Sequence, residues 1–352
     1  YNFQYENINS CDIIIICLPT PLKKNFKPNL DYIKETLKKI TPFLKKGQTL
    51  ILESTSYPGT TRELIVKKLK NKFQLGKDFF IGFSSERINP GFKENSINKI
   101  PKVVSGFSEN CLKVVTKTYS GIFDKIVIAN SLEIAEFSKL LENIYRAVNI
   151  SFINEMKFIA DKMKLDIFEI LKIAESKPFG FKRFNPGPGT GGHCIPIDPE
   201  YMYWKAKKLG IKANFIRLAS KTNLKVVDFI KKKLKTILKQ NKILLKNSKI
   251  LLIGLSYKKN VADLRESSSL KLLSTFTNKV RRLDFHDKYI KSKINTRNFK
   301  TNEKSISISK KSLSRYDVVI LMTDHDYLNY NMIYKYSKRL IDTRGIFKID
   351  HK

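Results

Sequence analysis

Residues 12–18 read Asp-Ile-Ile-Ile-Ile-Cys-Leu and are followed by the turn Pro19-Thr20-Pro21. An unbroken apolar run is typical of a strand that is buried on both faces, as in a parallel sheet covered by helices. Outward from it, strand-like runs occupy residues 49–53, 79–83, 103–106 and 126–129, and helix-like runs occupy 31–44 and 60–70. This alternation predicts a parallel α/β sheet.

The middle of the chain has a different pattern. From residue 132 to about 164, apolar residues such as Ile134, Phe137 and Leu141 recur every three or four positions, which predicts one long helix. The segments expected beyond it are a helix at 167–176, a Gly/Pro-rich loop at 178–199, helices to about 240, strands at 249–255, 317–322 and 339–342, and a short helix with loop at 291–312.

The sequence therefore predicts an α/β protein with two Rossmann-like domains, each with a parallel sheet, joined by a long central helix. The expected domains are residues 1–130, a helical domain at 131–241 and residues 242–352. No Gly-x-Gly-x-x-Gly turn follows a strand within residues 1–130, although such turns hold dinucleotide phosphates in this fold class. The first domain is therefore expected to lack its N-terminal part.

Composition and charge exclude several classes of protein. The 352 residues are 42% apolar, which is enough to form cores and excludes a wholly disordered chain. Lys and Arg number 67 against 32 acidic residues, a net charge of +35 that would suit a nucleic-acid binder. However, only 12 of these are Arg and the lysines are spread along the chain, so dedicated nucleic-acid binding is not expected.

The four cysteines, at positions 11, 17, 111 and 194, form neither a disulfide framework nor a zinc-binding pattern. The longest apolar run is far shorter than the roughly 20 residues of a membrane helix, and no secretory leader opens the chain. We therefore expect a reduced, cytoplasmic location, no insertion into a membrane and no metal.

The loop from Asn185 to Pro199 has the composition of a ligand site. Its glycines let the backbone approach a ligand closely, and Cys194 lies near its centre with Asp198 four residues on. An exposed Cys in a polar loop is a candidate nucleophile. A buried, structural Cys is the alternative reading of the same residue.

Three further features carry chemistry. Lys139 and Asn143 are spaced by one helical turn and are able to polarise one oxygen together, although a solvated helix face has the same pattern. The polar segments 53–61 and 86–91 each follow a strand, and ligands of parallel sheets bind at that edge. Near residue 254, a strand end and a helix start offer Lys258 and Arg265 to phosphates.

Together these features resemble the UDP-glucose/GDP-mannose dehydrogenase family, which oxidises a sugar nucleotide twice with NAD. The resemblance runs from Cys17-Leu-Pro-Thr-Pro21 to Ile341-Asp-Thr-Arg344. Within the family, residues 186–199 and Trp204-Lys-Ala206 are most similar to the UDP-N-acetylglucosamine 6-dehydrogenases. The alternatives are the same chemistry on UDP-N-acetylgalactosamine, UDP-N-acetylmannosamine or UDP-glucose, or a non-catalytic UDP-sugar binder.

The resemblance implies residue roles. Cys194 is the nucleophile, Lys139 and Asn143 stabilise the oxyanion, and Asp198 works with the lysine. Thr55 and Glu86 position the hydrolytic water. The substrate contacts implied are Glu86, Arg87, Ile88, Lys139, Asn143, Phe184, Gly192, Tyr257, Lys258 and Arg344; those to NAD are Pro19, Thr20, Ser54, Thr55, Cys194 and Arg265. The resemblance also implies a homodimer through the long central helix.

Overall fold

The computed structural model describes residues 4–88, 97–192, 194–290, 294–296, 299–301 and 304–347. The helices are α1 (Asp31–Ile40), α2 (Lys67–Leu69), α3 (Glu109–Ser120), α4 (Leu132–Lys162), α5 (Ile167–Glu175), α6 (Cys194–Lys208), α7 (Asn214–Gln240), α8 (Ser268–Phe276), α9 (Lys310–Leu313) and α10 (Tyr330–Tyr336). The strands are β1 (Ile13–Ile16), β2 (Thr49–Leu52), β3 (Phe80–Ser84), β4 (Lys102–Gly106), β5 (Ile126–Ile128), β6 (Lys249–Ile253), β7 (Arg282–His286), β8 (Ile294–Asn295), β9 (Lys300–Thr301), β10 (Val318–Leu321) and β11 (Leu340–Asp342).

The chain divides into two compact units. The first comprises residues 1–145 and 197–213, and the second comprises residues 146–196 and 214–352. The predicted α/β class and the long central helix are confirmed, since α4 runs through 31 residues. The division into three domains stays a prediction.

The first unit contains a five-stranded sheet in the order β1-β2-β3-β4-β5. Strands β1, β2 and β3 are parallel, and every residue of β2 is buried. The prediction that the run at 12–18 is a strand buried on both faces is wrong for β1, which is an edge strand with Ile13 and Ile15 exposed. The prediction of an all-parallel sheet is wrong at β4, which pairs antiparallel to β3. A parallel connection usually needs a crossover helix, and residues 85–101 carry no helical apolar pattern.

The helix expected at residues 60–70 is present in an unusual form. Thr61–Val66 is a π-helical segment that continues into α2. Segments of this kind are rare and are often found at functional sites. Helix α1 is conventional and buries Ile33, Leu37 and Ile40, the face predicted from their spacing.

The second unit contains a four-stranded parallel sheet in the order β11-β10-β6-β7. Apolar side chains of α7 and α8, such as Ile230 and Leu273, pack with Ile250 and Leu252 of β6. On the opposite face Leu251 of β6 packs with residues of α9 and α10. A sheet that is covered by helices on both faces is the expected doubly wound arrangement.

Two sequence predictions in this region are wrong. The loop expected at 178–199 ends at Cys194, where α6 begins. The many prolines favoured a loop, but Pro196 lies in the first turn, where a backbone N–H has no helical acceptor. The stretch 291–312 contains the short antiparallel pair of β8 and β9 as well as the start of α9.

Within the described ranges, no helix is both long and apolar enough to cross a membrane. Among the same residues, no group of three His, Cys, Asp or Glu side chains is arranged to hold a metal ion. The four cysteines all lie within the described ranges, and none of them forms a disulfide.

Candidate active site

The carboxyl edge of the first unit's sheet carries four of the six residues predicted to contact NAD, namely Pro19, Thr20, Ser54 and Thr55, whereas Cys194 and Arg265 belong to the second unit. The hydroxyl of Ser54 accepts a hydrogen bond from the backbone N–H of Leu18 at 2.7 Å, which ties the ends of β2 and β1 together. The hydroxyl of Tyr201 donates to the carbonyl of Thr20 at 3.0 Å. Pro19 and Thr55 lie beside these residues in the chain, at the edge where parallel sheets bind ligands.

A buried charge network lies at the end of β2, and sequence reasoning missed it. Glu53 accepts hydrogen bonds from the ammonium of Lys102 at 2.7 Å and from the hydroxyl of Tyr119 at 2.5 Å. The thiol of Cys17 lies 3.6 Å from the same carboxylate. Burial, with the adjacent negative charge of Glu53, raises the pKa of Cys17 to about 11. Although Cys17 is exposed, its thiol therefore stays protonated at neutral pH.

Asp198, which was expected to work with Lys139, contacts Asn143 in the first unit. The side-chain amide of Asn143 donates to the carboxylate of Asp198 at 2.5 Å, and both side chains are buried. One helical turn earlier, the ammonium of Lys139 donates to the backbone carbonyl of Glu86. An ammonium and an oriented amide on one helix face are suited to stabilising a developing negative charge.

The segment around Glu86 is anchored to the same helix. The guanidinium of Arg87 pairs with Glu142 of α4 at 2.6 Å and donates to the carbonyl of Pro101 at 3.0 Å. Ile88, also expected to contact substrate, is exposed. The rest of this motif, residues 89–91, lies outside the described residues.

Glu136 is a second site residue that the sequence did not reveal. Its buried carboxylate accepts hydrogen bonds from the backbone N–H groups of Gly59 at 2.5 Å and Thr61 at 2.8 Å, and from the Thr61 hydroxyl at 2.7 Å. It therefore ties α4, three residues before Lys139, to the segment that follows Thr55. Its spacing gave no signal, because its partners Thr61 and Gly59 lie 75 and 77 positions away in the chain.

In the second unit, the glycines before Cys194 pack against Tyr257. The backbone N–H of Gly192 donates to the carbonyl of Arg265 at 2.8 Å. Gly192 has a φ of +84°, and a Cβ there would lie 2.9 Å from the Tyr257 ring. Only glycine fits this position, so Gly192 and Tyr257 lie in direct contact.

The other predicted contacts of the second unit are held by internal partners. Arg265 forms a two-point ion pair with Asp263, with its closest N···O distance at 2.6 Å. Arg344 donates to the carbonyl of Met322 at 2.8 Å, and its guanidinium is next to Gly187 of the glycine-rich loop. Burial, with the nearby positive charge of Arg146, lowers the pKa of Lys258. Phe184 packs against the apolar cluster of α4 and α5, beneath the loop.

Comparison with known proteins assigns the chain to one family. Residues 2–126 match the NAD binding domain of the UDP-glucose/GDP-mannose dehydrogenase family, residues 133–225 match its central domain, and residues 251–349 match its UDP binding domain. The chain belongs to this family of NAD-dependent nucleotide-sugar oxidoreductases, and NAD is its cofactor. The resemblance inferred from the sequence is confirmed.

Individual relatives act on different sugars. The chain is 31% identical over 297 residues to the UDP-N-acetyl-D-glucosamine 6-dehydrogenase of Pseudomonas aeruginosa, which covers 82% of this chain and 69% of that protein. It is 30% identical over 346 residues to the UDP-N-acetyl-D-mannosamine dehydrogenase of Methanocaldococcus jannaschii, covering 95% and 75% of the two. The solved UDP-D-ManNAc dehydrogenase of Pyrococcus horikoshii matches with a TM-score of 0.87 and 27% identity, covering 98% of this chain and 80% of that one.

Proposed function

We propose that this protein oxidises C6 of a UDP-sugar to the carboxylate in two NAD-dependent steps, with UDP-N-acetylglucosamine as its substrate. The observation that carries the proposal is the buried Asn143–Asp198 pair next to Lys139, because this set is built to handle a negatively charged oxygen. Cys194 begins α6, the helix that also carries Asp198. We also propose the cytoplasmic location expected from the sequence, where cysteines without disulfides are the rule.

Cys194 has the chemistry that a two-step oxidation needs. Its thiolate adds to the aldehyde carbon, which forms a C–S bond and a thiohemiacetal. Loss of a hydride and a proton from this adduct gives a thioester. Water then adds to the thioester carbon, and the C–S bond breaks to release the acid and the thiol. NAD, when bound, accepts the hydride in both oxidations, from the C6 alcohol to the aldehyde and from the thiohemiacetal to the thioester.

Lys139 and Asn143 act on the substrate oxygen. The ammonium of Lys139 and the amide of Asn143 stabilise the negative charge that develops as the C6 hydroxyl loses its proton. Asp198 holds the Asn143 amide in one orientation through the 2.5 Å hydrogen bond. Glu86 and Thr55 position the water that hydrolyses the thioester, and the contact from Lys139 to the Glu86 carbonyl holds that segment next to the oxyanion groups.

The remaining NAD and UDP-sugar contacts are proposed from the position of each residue within its own unit. The hydroxyl of Ser54 and the backbone around Thr20 are neutral hydrogen-bonding groups at the carboxyl edge of a parallel sheet, which fits one side of NAD. In the first unit we assign Pro19 and Thr55 to the cofactor, and Arg87 and Ile88 to the UDP-sugar. In the second unit we assign Cys194 and Arg265 to the cofactor, and to the UDP-sugar Tyr257, Lys258, Arg344, Phe184 and Gly192.

The sugar is tested by initial rates with NAD on UDP-N-acetylglucosamine, UDP-N-acetylmannosamine, UDP-N-acetylgalactosamine and UDP-glucose. We expect kcat/KM to be highest for UDP-N-acetylglucosamine. A higher value for another sugar would reassign the substrate and leave the chemistry in place. Saturable binding of UDP-sugar without NADH formation would favour the non-catalytic binder and contradict the proposal.

We also propose a homodimer formed through α4. This helix exposes a row of large apolar side chains, among them Phe137, Leu141 and Phe152, each of which is about half exposed. Exposed apolar surface on this scale marks an interaction site. Light scattering should give the mass of two chains, and Leu141→Glu should give one, whereas Leu244→Glu, at an exposed leucine outside α4, should not change the mass.

A further inference from the structure

A buried His–Asp pair lies at the carboxyl edge of the second unit's sheet, and none of the roles above uses it. Asp287 follows β7 and His325 follows β10, and β6 lies between these two strands. Both side chains are fully buried, with Nε2 of His325 3.2 Å from Oδ2 of Asp287. Buried polar groups of this kind destabilise a protein unless they are well paired. Their partners therefore indicate what the pair is for.

Asp287 holds the start of the turn that follows β6. Its Oδ2 accepts hydrogen bonds from the backbone N–H groups of Leu255 at 2.8 Å and Ser256 at 3.0 Å, and from the Ser256 hydroxyl at 2.7 Å. Burial alone would raise the pKa of Asp287, but hydrogen bonds from His325 and Ser256 lower it well below its usual range. The group is therefore a carboxylate that accepts bonds from every side.

His325 holds the other end of the same turn. Its Nδ1 accepts a hydrogen bond from the backbone N–H of Asn260 at 3.0 Å, so Nε2 carries the ring proton and donates to Asp287. Asn260 has a φ of +61°, and its side-chain oxygen accepts from the backbone N–H of Asp326 at 3.2 Å. The turn is thus fixed at both ends, with Tyr257 and Lys258 in the middle.

The position of Tyr257 affects the catalytic loop. Its ring lies against Gly191 and Gly192, two residues before Cys194, with no room for a side chain there. A displacement of the turn would therefore move Lys258 away from the UDP and remove the support of the loop that leads to Cys194.

Ser256, His325 and Asp287 do not form a hydrolytic triad. In such a triad the Ser bonds to the His, and the His bonds to the Asp. Here the Ser256 hydroxyl and His325 Nε2 both bond to the same oxygen of Asp287, and Ser256 is fully buried. The geometry of the cluster is suited to holding the turn after β6 in place, not to catalysis.

We propose that His325 and Asp287 are positioning residues that fix the turn from Leu255 to Asn260 for binding of the UDP-sugar. This inference rests on the proposed function, which places Tyr257 and Lys258 on the substrate. It adds a pair of residues that act on substrate binding without touching the substrate.

The test separates the two hydrogen bonds of His325 and uses UDP as the probe, measured by calorimetry. His325→Asn keeps an acceptor near the Nδ1 position for Asn260, whereas His325→Leu removes both bonds. We expect the Kd of UDP to rise at least tenfold in the Leu variant, which is about 1.4 kcal/mol, and to stay within threefold in the Asn variant. Tyr316→Phe, at a position before β10 begins, is the matched control: it removes the 2.6 Å hydrogen bond from a buried Tyr hydroxyl to Asp284, and this variant should bind UDP as the wild type does.

Kinetics give a second readout. We expect His325→Leu to raise the KM for the UDP-sugar more than the KM for NAD, a difference that a general loss of folded protein would not produce. If the Leu variant does not fold, Asp326→Ala tests whether UDP binding depends on fixing this turn. Asp326 is exposed and pairs with Lys259 at 3.0 Å and with the side chain of Asn260 at 2.5 Å, so its loss should weaken UDP binding about threefold without lowering Tm.

The outcomes distinguish the two proposals. Wild-type protein that does not bind UDP contradicts the proposed function and removes the basis of this inference with it. Wild-type protein that binds UDP, together with a folded His325→Leu variant of equal affinity, overturns the positioning role alone. Weak UDP binding in the Leu variant with recovery in the Asn variant supports it.

Discussion

Glu136→Gln should remove a pH dependence from the stability of the first unit. Burial raises the pKa of Glu136 to about 7 from 4.5, although its hydrogen bonds to Thr61 and Gly59 lower it, and the charge of Glu133 raises it further. Glu133 is itself paired with Arg62 at 2.5 Å. Because the folded protein holds this proton more tightly than the unfolded chain, the stabilisation is complete below pH 4.5 and is lost as the pH rises through 7.

The magnitude follows from the size of the shift. A rise from 4.5 to about 7 corresponds to about 3 kcal/mol of unfolding free energy lost across this pH window. Gln has nearly the same shape but does not titrate, so the variant should lack this contribution. The free energy of unfolding of the wild type minus that of Glu136→Gln should therefore fall by about 3 kcal/mol between pH 4.5 and pH 8.

The assay is urea unfolding followed by the fluorescence of Trp204, the only tryptophan of the chain. Trp204 belongs to the first unit and lies 4.8 Å from the ring of Tyr57, so its emission reports on that unit. All other titrating groups are shared by the two proteins and cancel in the difference. A difference that is independent of pH, or that grows as the pH rises, would refute the reasoning.

Three further outcomes are expected. Asp198→Asn should lower kcat by about 10²-fold with little change in Tm, because the amide of Asn143 loses its charged partner. NADH formation measures kcat and a melting curve measures Tm. An unchanged kcat would count against the oxyanion role. Cys17, with its pKa at about 11, should react with iodoacetamide at pH 8 far more slowly than a free cysteine does. Peptide mass spectrometry measures the labelling rate, and rapid labelling would contradict the prediction. Gly192→Ala should abolish activity by displacing the Tyr257 ring, and a variant with wild-type kcat/KM would show that the close contact is unimportant.

The sequence predicted those parts of the fold whose signal is local. The run at residues 12–18 became β1, and the apolar spacing after Leu132 became α4, because these patterns repeat within a few residues. The burial of these side chains was not predictable in the same way, since Ile15 of β1 and Leu141 of α4 are exposed. The antiparallel direction of β4 was not predictable from its own residues, because it depends on the segment that connects β3 to β4. The start of α6 was missed because Pro and Gly are common both in loops and at the first turn of a helix.

The residues of the candidate site likewise divide into those with a local sequence signal and those without one. Lys139 and Asn143 were found because one helical turn separates them. Glu136 and the Glu53–Lys102 pair were missed, because the residues they contact lie about 50 to 80 positions away in the chain. No spacing rule connects such residues, and only the folded sheet brings them together.

The most direct test of the account counts NADH formed per UDP-N-acetylglucosamine consumed, for wild-type protein and for Cys194→Ser. We expect two NADH and one UDP-uronic acid per sugar from the wild type, and no acid from the variant, since the thioester needs the thiol. One NADH per sugar with accumulation of free aldehyde would contradict the two-step oxidation. Normal acid formation by Cys194→Ser would show that another group carries the acyl intermediate.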